Sequence, residues 1–150
     1  METKLVPFRL SAERRAMQLN QFNVRNEIVW FGFEGGFEEP GIATITFKMF
    51  NEGLLGGGGT RAINGGVISA GFDAAFVLAG LGQYDVDVVV TLDLSVQFLS
   101  LARVSESLVF QAEIVRSAKN VCFAKGVLFD RSEENGPHFA LASAMLAPLG

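Results

Sequence analysis

The sequence has 150 residues, 49 % of them hydrophobic and 19 % charged, and a formal net charge of −4. A chain of this size and composition can bury a core of its own, which excludes intrinsic disorder and predicts one domain over residues 1–150. The 12 lysines and arginines are scattered along the chain, so the sequence has no basic patch of the kind that nucleic-acid binding requires.

The first 24 residues predict an N-terminal helical segment. Ser11 is a suitable N-cap for the amphipathic run AERRAMQLNQF, and this helix is expected to cover an edge of the domain. Charged residues begin too early for a signal peptide, and the most apolar stretch, 67–81, is shorter than a bilayer span. We therefore expect a cytoplasmic protein without membrane contact. Cys122, the single cysteine, fits a reducing compartment and is interpreted as a small buried hydrophobe.

Two strands are predicted in the next part of the chain, over Glu27–Phe33 and Ile42–Met49, because both runs show a strand-like apolar pattern. The segment between them, EGGFEEPG, has the glycines and the proline of a turn. The loop that follows, NEGLLGGGGTRAINGG, is long and rich in glycine. Such a loop either wraps a functional site or is mobile.

The run GVISAGFDAAFVLAGLG predicts a helix that is apolar on every side except at Ser69 and Asp73, which is typical of a helix surrounded by protein. In the strand predicted next, the even-numbered residues from Val88 to Phe98 are apolar and are expected to face the core. Three further strands are predicted, over Ser107–Arg116, Val121–Asp130 and His138–Ala147.

This order of elements describes an α+β domain in which a curved antiparallel sheet wraps around a long central helix, the arrangement of the hotdog fold. A lone curved sheet leaves an edge strand unpaired. We therefore expect self-association, with two sheets pairing edge to edge in a homodimer and two dimers forming a homotetramer.

Asp73 is the only ionisable residue of the predicted central helix. Burying a carboxylate without partners is costly, so it needs hydrogen bonds, an arginine, or a pocket that admits water and ligand. An aspartate that caps a neighbouring backbone or pairs with an arginine would be structural. An aspartate in a pocket would act as a general base for water or as a nucleophile on an activated carbonyl.

The pair Gly65-Gly66 opens the same helix. Unpaired backbone N–H groups and the helix dipole at this end can stabilise an oxyanion, although many such glycine pairs only form a turn. Gly66 and Asp73 are separated by two helical turns, about 10 Å along the axis, too far for one carbonyl to contact both. A site shared between two protomers would remove this difficulty, and we expect one.

Two motifs carry a resemblance to a known family. The run NGGVISAGFD from Asn64 to Asp73, followed by VTLDLSVQFL from Val90 to Leu99, resembles the hotdog-fold thioesterases of the phenylacetic acid degradation type. In that family the helix opens with His-Gly-Gly, a catalytic Asp or Glu follows within the helix, and the next strand has the same pattern. The resemblance covers the chain from about Phe47 to its end and implies hydrolysis of an acyl-CoA thioester to the free acid and CoA.

The resemblance also implies roles for individual residues. The Gly65 N–H would polarise the thioester carbonyl, Asp73 would be the base or nucleophile, and Thr91 would supply a hydroxyl that helps to place the water. Asn64 stands where the family has its histidine; it can donate a hydrogen bond but cannot titrate near neutral pH. Leu101 stands where the family often has proline.

The segment AEIVRSAKNVCFAKGVLFD resembles the two strands and the turn that line the family's CoA channel. Arg116, Lys119 and Asn120 are therefore candidate contacts of CoA, together with Gly66 at the helix start. From the residues alone, a lysine in this turn is equally well explained by solubility. No metal or cofactor is expected, because one histidine and one cysteine cannot form a metal site and the CoA thioester is itself the substrate.

Two other functions remain open. The same pocket could hold an acyl-CoA as a ligand in a non-catalytic binding protein, although a buried acid favours an enzyme. A hotdog dehydratase would need a histidine paired with the aspartate, and the single histidine, His138, follows Pro137 in a predicted turn far along the chain. His138 is interpreted as a solvated loop residue.

Overall fold

The computed structural model describes residues 5–56 and 58–150; the first four residues of the predicted N-terminal segment and Gly57 of the glycine-rich loop lie outside them. Three α-helices and six strands follow one another in the described chain. The helices are α1 (Ala12–Phe22), α2 (Asn26–Phe31) and α3 (Gly65–Leu81). The strands are β1 (Phe33–Glu38), β2 (Ile42–Phe47), β3 (Val88–Phe98), β4 (Leu108–Ser117), β5 (Cys122–Asp130) and β6 (Ala140–Leu149).

The six strands form one antiparallel sheet in the order β1-β2-β4-β5-β6-β3, with α3 packed across its inner face. The prediction of an α+β hotdog fold, a curved antiparallel sheet around a long central helix, is therefore confirmed. Strands β1 and β3 are the two edges of the sheet. Of these, β3 is the longer, with 11 residues.

Helix α3 is central because its sequence has no polar face. Asn64 caps its first turn, and eleven of its 17 residues are buried. Gly71 allows the Phe110 ring of β4 to pack against the helix backbone, since a Cβ at this position would lie 2.3 Å from the ring. No helix in the described chain, α3 included, is long and apolar enough to cross a membrane.

The prediction of a strand over Glu27–Phe33 is wrong. Its first five residues belong to helix α2, which buries Ile28 and ends at Gly32 in the left-handed conformation (φ 73°), so that β1 begins only at Phe33. The residues Val29, Trp30 and Phe31 favour a strand by local propensity. Burial of Ile28 and Phe31 on one side of a single helical turn outweighs that preference.

The inward face of β3 also differs from the prediction. Thr91 pairs with Leu146 and Asp93 with Met145, so Leu92 is an extra residue in a β-bulge. Before the bulge the odd-numbered residues face α3, and Val89 is buried while Val88 is exposed. The bulge thus turns Thr91 towards the helix, where a strict alternation would have turned it outwards.

Candidate active site

Asp73 and Thr91 meet at the contact between α3 and β3. The Thr91 hydroxyl donates a hydrogen bond of 2.6 Å to Asp73 Oδ1. Within residues 5–56 and 58–150, no arginine or lysine forms an ion pair with Asp73 and no backbone N–H donates to it. Asp73 therefore neither caps a backbone N–H nor pairs with an arginine in the described chain.

Asp73 faces a cavity of about 250 Å³ beneath helix α2. One wall is the α3 surface of Ala70, Ala74 and Val77, and the opposite wall is mainly aromatic. Its remaining lining residues are Phe22, Arg25, Glu27, Ile28, Phe31 and Phe33. Asp73 is partly exposed to this space, so the carboxylate can contact both water and an apolar ligand.

The start of α3 brings three predicted residues together. Asn64 Oδ1 accepts a hydrogen bond of 2.7 Å from Gly66 N–H, which satisfies that donor, and the side-chain NH2 of Asn64 donates to no residue that the structure describes. Gly65 N–H, by contrast, donates to no residue in the described chain. Of the two glycines, only Gly65 has an N–H without an acceptor in the described chain, and its role as an oxyanion donor stays a prediction.

The helix start and Asp73 do not form one site within a single chain. Eight residues separate Gly65 from Asp73, which is about 12 Å along the helix axis. A groove at the helix start is lined by Gly65, Ile68 and Phe98 together with the segment Leu99–Ala102, and Asp73 does not line it. Asp73 and the start of α3 thus line two separate cavities of the chain.

The predicted CoA contacts lie at the hairpin between β4 and β5. Arg116, Lys119 and Asn120 are exposed, and Arg116 pairs with Phe123 on the sheet face opposite to α3. This hairpin is three strands from Thr91 across the sheet, roughly 14 Å at the usual strand spacing. None of the three residues lines the Asp73 cavity.

Two other groups with reactive chemistry lie outside the site. Cys122 is buried, and desolvation raises the pKa of its thiol, which keeps it neutral and a poor nucleophile. His138 is exposed and packs beside the Phe129 ring at a centroid distance of 6.4 Å. It lines a larger, polar cavity of about 550 Å³ that contains neither Asp73 nor Thr91.

Sequence reasoning did not find the part of the cavity that α2 provides. Ile28 and Phe31 line it from one side of the helix, and Arg25, the residue before the helix, also lines it. The spacing of three residues between the two apolar side chains, followed by Gly32, is a helical signal that could have been recognised. No local signal in the sequence indicates that Arg25 lies near Asp73.

The hydrogen bond between Thr91 and Asp73 gives a first prediction. Replacing Thr91 with valine keeps the shape but removes a hydrogen bond to a charged group, and we expect kcat for the thioester hydrolysis that the resemblance implies to fall about tenfold to a hundredfold. Thr91→Ser retains the hydroxyl and should recover most of the loss. Equal rates for the valine and serine variants would show that the hydroxyl does not position the carboxylate.

A comparison with protein families identifies the superfamily of this chain. The model of the thioesterase superfamily matches residues 61–136, which include α3 and strands β3 to β5. The chain therefore belongs to the thioesterase superfamily, and this membership supports thioester hydrolysis as its class of reaction. No curated protein sequence matches the chain significantly.

Solved structures of the same fold are numerous. A thioesterase family protein from Silicibacter pomeroyi is 21 % identical, with a TM-score of 0.75 over 90 % of this chain and 98 % of that chain. The E. coli PaaI protein from the phenylacetic acid degradation operon is 18 % identical, with a TM-score of 0.75 over 93 % and 97 %. A thioesterase from Haemophilus influenzae is 15 % identical, with a TM-score of 0.77 over 97 % and 96 %. These similarities concern the fold.

Proposed function

We propose that the protein hydrolyses acyl-CoA thioesters and that Asp73 is the catalytic carboxylate. The observation that carries the proposal is the setting of Asp73: an aspartate on a buried helix, open to an apolar cavity, hydrogen-bonded by Thr91 and without an ion-pair partner in the described chain. A carboxylate held in this way is available to accept a proton from water or to attack a carbonyl. The apolar cavity beside it suits the acyl group.

The reaction follows from these groups. Water, deprotonated by Asp73, or Asp73 itself adds to the thioester carbonyl, whose oxygen becomes an oxyanion stabilised by Gly65 N–H. The carbon–sulfur bond then breaks and CoA leaves as a thiolate. Thiols ionise near pH 8.5, so this leaving group needs little help from an acid, and no additional cofactor is required. If Asp73 is the nucleophile, water hydrolyses the resulting anhydride and restores the carboxylate.

We infer that the site is completed by a second copy of the chain through strand β3. In this arrangement the β3 strands of two copies pair antiparallel, with the two-fold axis at Ser95. Leu94 of one copy then lies opposite Val96 of the second copy, and both side chains are on the same face because opposite residues of an antiparallel pair share a face. The same register sets Phe98 of one copy beside the bulge at Leu92 of the other. Because Phe98 and Gly65 line the same groove, the helix start of one copy then approaches Thr91 and Asp73 of the other.

This register gives a second prediction. Ser95 is exposed on the outer face of β3, and Ser95→Lys would place two lysines directly opposite each other on the axis. We expect the dimer dissociation constant to rise about tenfold or more, because like charges across an interface repel. The matched variant Gln97→Lys sets its lysine opposite Asp93 of the second copy and should not weaken the dimer. Sedimentation equilibrium measures both; equal constants for the two variants would refute this register.

The remaining proposals concern CoA and higher assembly. Arg116, Lys119 and Asn120 form an exposed polar hairpin with two cations, which suits the phosphates of CoA. The outer face of the sheet exposes large apolar side chains, among them Val115, Phe123 and Leu141, and offers a surface on which two dimers can pair.

The experiment that tests the function measures release of free thiol from a panel of aryl and aliphatic acyl-CoAs, with the wild type beside Asp73→Asn. Hydrolysis that depends on Asp73 supports the proposal and defines the acyl class. Tight binding of CoA esters by both proteins without hydrolysis would instead indicate the non-catalytic binding function.

A further inference from the structure

The hairpin between β4 and β5 is held from inside the domain by Tyr84, a residue that the proposed reaction does not use. Tyr84 is 8 % exposed, and its hydroxyl donates a hydrogen bond of 2.6 Å to the backbone oxygen of Ala118 in the hairpin turn. Ala118 N–H donates a hydrogen bond of 2.9 Å to Val121 O and closes the turn. Desolvation raises the pKa of the Tyr84 hydroxyl, so this group stays neutral and keeps its proton to donate at neutral pH.

A second contact fixes the same hairpin. Arg9, in the segment before α1, donates a hydrogen bond of 3.2 Å from Nη2 to the backbone oxygen of Ser117. Tyr84 itself is fixed to the end of α3, because its backbone N–H donates a hydrogen bond of 3.1 Å to Gly80 O. Helix α3 therefore carries Asp73 in its middle and, through Tyr84, holds the hairpin near its C-terminal end.

The exposed side of this hairpin carries Arg116 and Lys119, the two cations that suit the phosphates of CoA. Neither forms an ion pair within residues 5–56 and 58–150, so the backbone of the hairpin, and no carboxylate, sets where the two charges lie. A loop that is ordered before binding loses less conformational entropy when it contacts a ligand. We propose that Tyr84 is a positioning residue that orders the hairpin for the nucleotide end of CoA. This inference rests on the proposed function.

The test compares kcat/KM for hexanoyl-CoA with that for S-hexanoylpantetheine, which has the same reacting group but neither the nucleotide nor the phosphates of CoA. In Tyr84→Phe we expect the ratio of the two values to fall about twofold to tenfold, the range of one neutral hydrogen bond. The fall should come from a higher KM for the CoA ester at unchanged kcat. Because both esters are measured on the same protein, a partly unfolded variant does not change the ratio.

Two controls distinguish positioning from a general loss of stability. Thr44→Val removes another buried hydroxyl that donates to a backbone oxygen, Gly36 O at 3.4 Å, and should leave the ratio unchanged. The second control adds Tyr84→Phe to a protein that already carries Arg116→Met and Lys119→Met. Without the two cations an ordered hairpin brings no benefit to CoA binding, so Tyr84→Phe should not lower the ratio further.

The outcomes separate this inference from the proposed function. An unchanged ratio in Tyr84→Phe, or a full effect of Tyr84→Phe without the cations, overturns the role of Tyr84 alone. A ratio that Arg116→Met and Lys119→Met do not lower shows that CoA binds elsewhere, and the inference fails with it. Hydrolysis that is unaffected by Asp73→Asn overturns the proposed reaction instead. If neither ester is turned over, the same ratio is measured as dissociation constants, and equal ratios for the wild type and Tyr84→Phe overturn the inference.

Discussion

Replacing Asp73 with asparagine is expected to lower kcat for acyl-CoA hydrolysis by about 10³-fold or more. Asparagine cannot accept the proton of the attacking water and cannot form an anhydride with the acyl group. Its side-chain oxygen can still accept the hydrogen bond from Thr91, so the contact between α3 and β3 is kept. The melting temperature should therefore stay close to that of the wild type, because the lost charge has no ion-pair partner in the described chain.

The control for this variant is Asp85→Asn. Asp85 is an exposed carboxylate shortly after α3, and its ion pair with Arg14 contributes little because solvent screens it. We expect full activity for Asp85→Asn in the thiol-release assay. A fully active Asp73→Asn protein would refute the proposed mechanism.

A single turnover in H₂¹⁸O distinguishes the two roles of Asp73. Transfer of ¹⁸O to the Asp73 carboxylate would show that Asp73 acts as the nucleophile.

The sequence predicts the centre of the fold well because its patterns there are long. Helix α3 is apolar around its whole circumference, and β4, β5 and β6 follow each other with short turns. In each of these segments the sequence pattern favours one type of secondary structure, and the tertiary packing favours the same type. Their predicted bounds differ from the observed ones by at most two residues.

The errors lie where tertiary contacts decide the local structure, and they include the predicted turn EGGFEEPG, most of which is strand β1. Helix α2 has only six residues, mostly strand formers, and it is stabilised by burying Ile28 and Phe31. The bulge at Leu92 changes which residues of β3 face inwards, and no residue type near Leu92 predicts a bulge. Both features lie close to Asp73, because α2 lines its cavity and Thr91, beside the bulge, donates a hydrogen bond to the carboxylate.

Some residues of the candidate site could likewise be predicted from the sequence, and others could not. Asp73 could be predicted because burying a single charge in an apolar helix is costly unless the charge has partners or a function. Asn64 to Gly66 could be predicted because they have the pattern of a helix start. Arg25 could not be predicted as a residue of the Asp73 cavity, since its position results from the packing of α1 against α3 and of α2 against β1. The distance between Gly65 and Asp73, in contrast, follows from helix geometry alone, and it is the reason for our proposal that a second copy of the chain completes the site.

Replacing Gly65 with proline should remove the proposed oxyanion donor with little other change. Proline lacks the backbone N–H and is favoured at the first position of a helix. Asn64, which would precede it, has φ −58° and ψ 138°, a conformation that a residue before proline readily adopts. A Cβ at position 65 would lie 3.4 Å from the Phe98 ring, an ordinary contact. We expect kcat to fall about 10²-fold to 10³-fold in Gly65→Pro, whereas Gly65→Ala, which keeps the N–H, should remain active.

A mixture of Gly65→Pro and Asp73→Asn protomers then tests whether the site is shared. If Gly65 of one copy acts with Asp73 of the other, a mixed dimer has one site with both substitutions and one site with neither. Random reassembly makes half of the dimers mixed, so the mixture should recover about a quarter of the wild-type activity. If both groups act within one chain, each protomer carries one defect and the mixture stays as inactive as its parents. Recovery would therefore assign the oxyanion donor and the carboxylate to different subunits, which neither single variant can do.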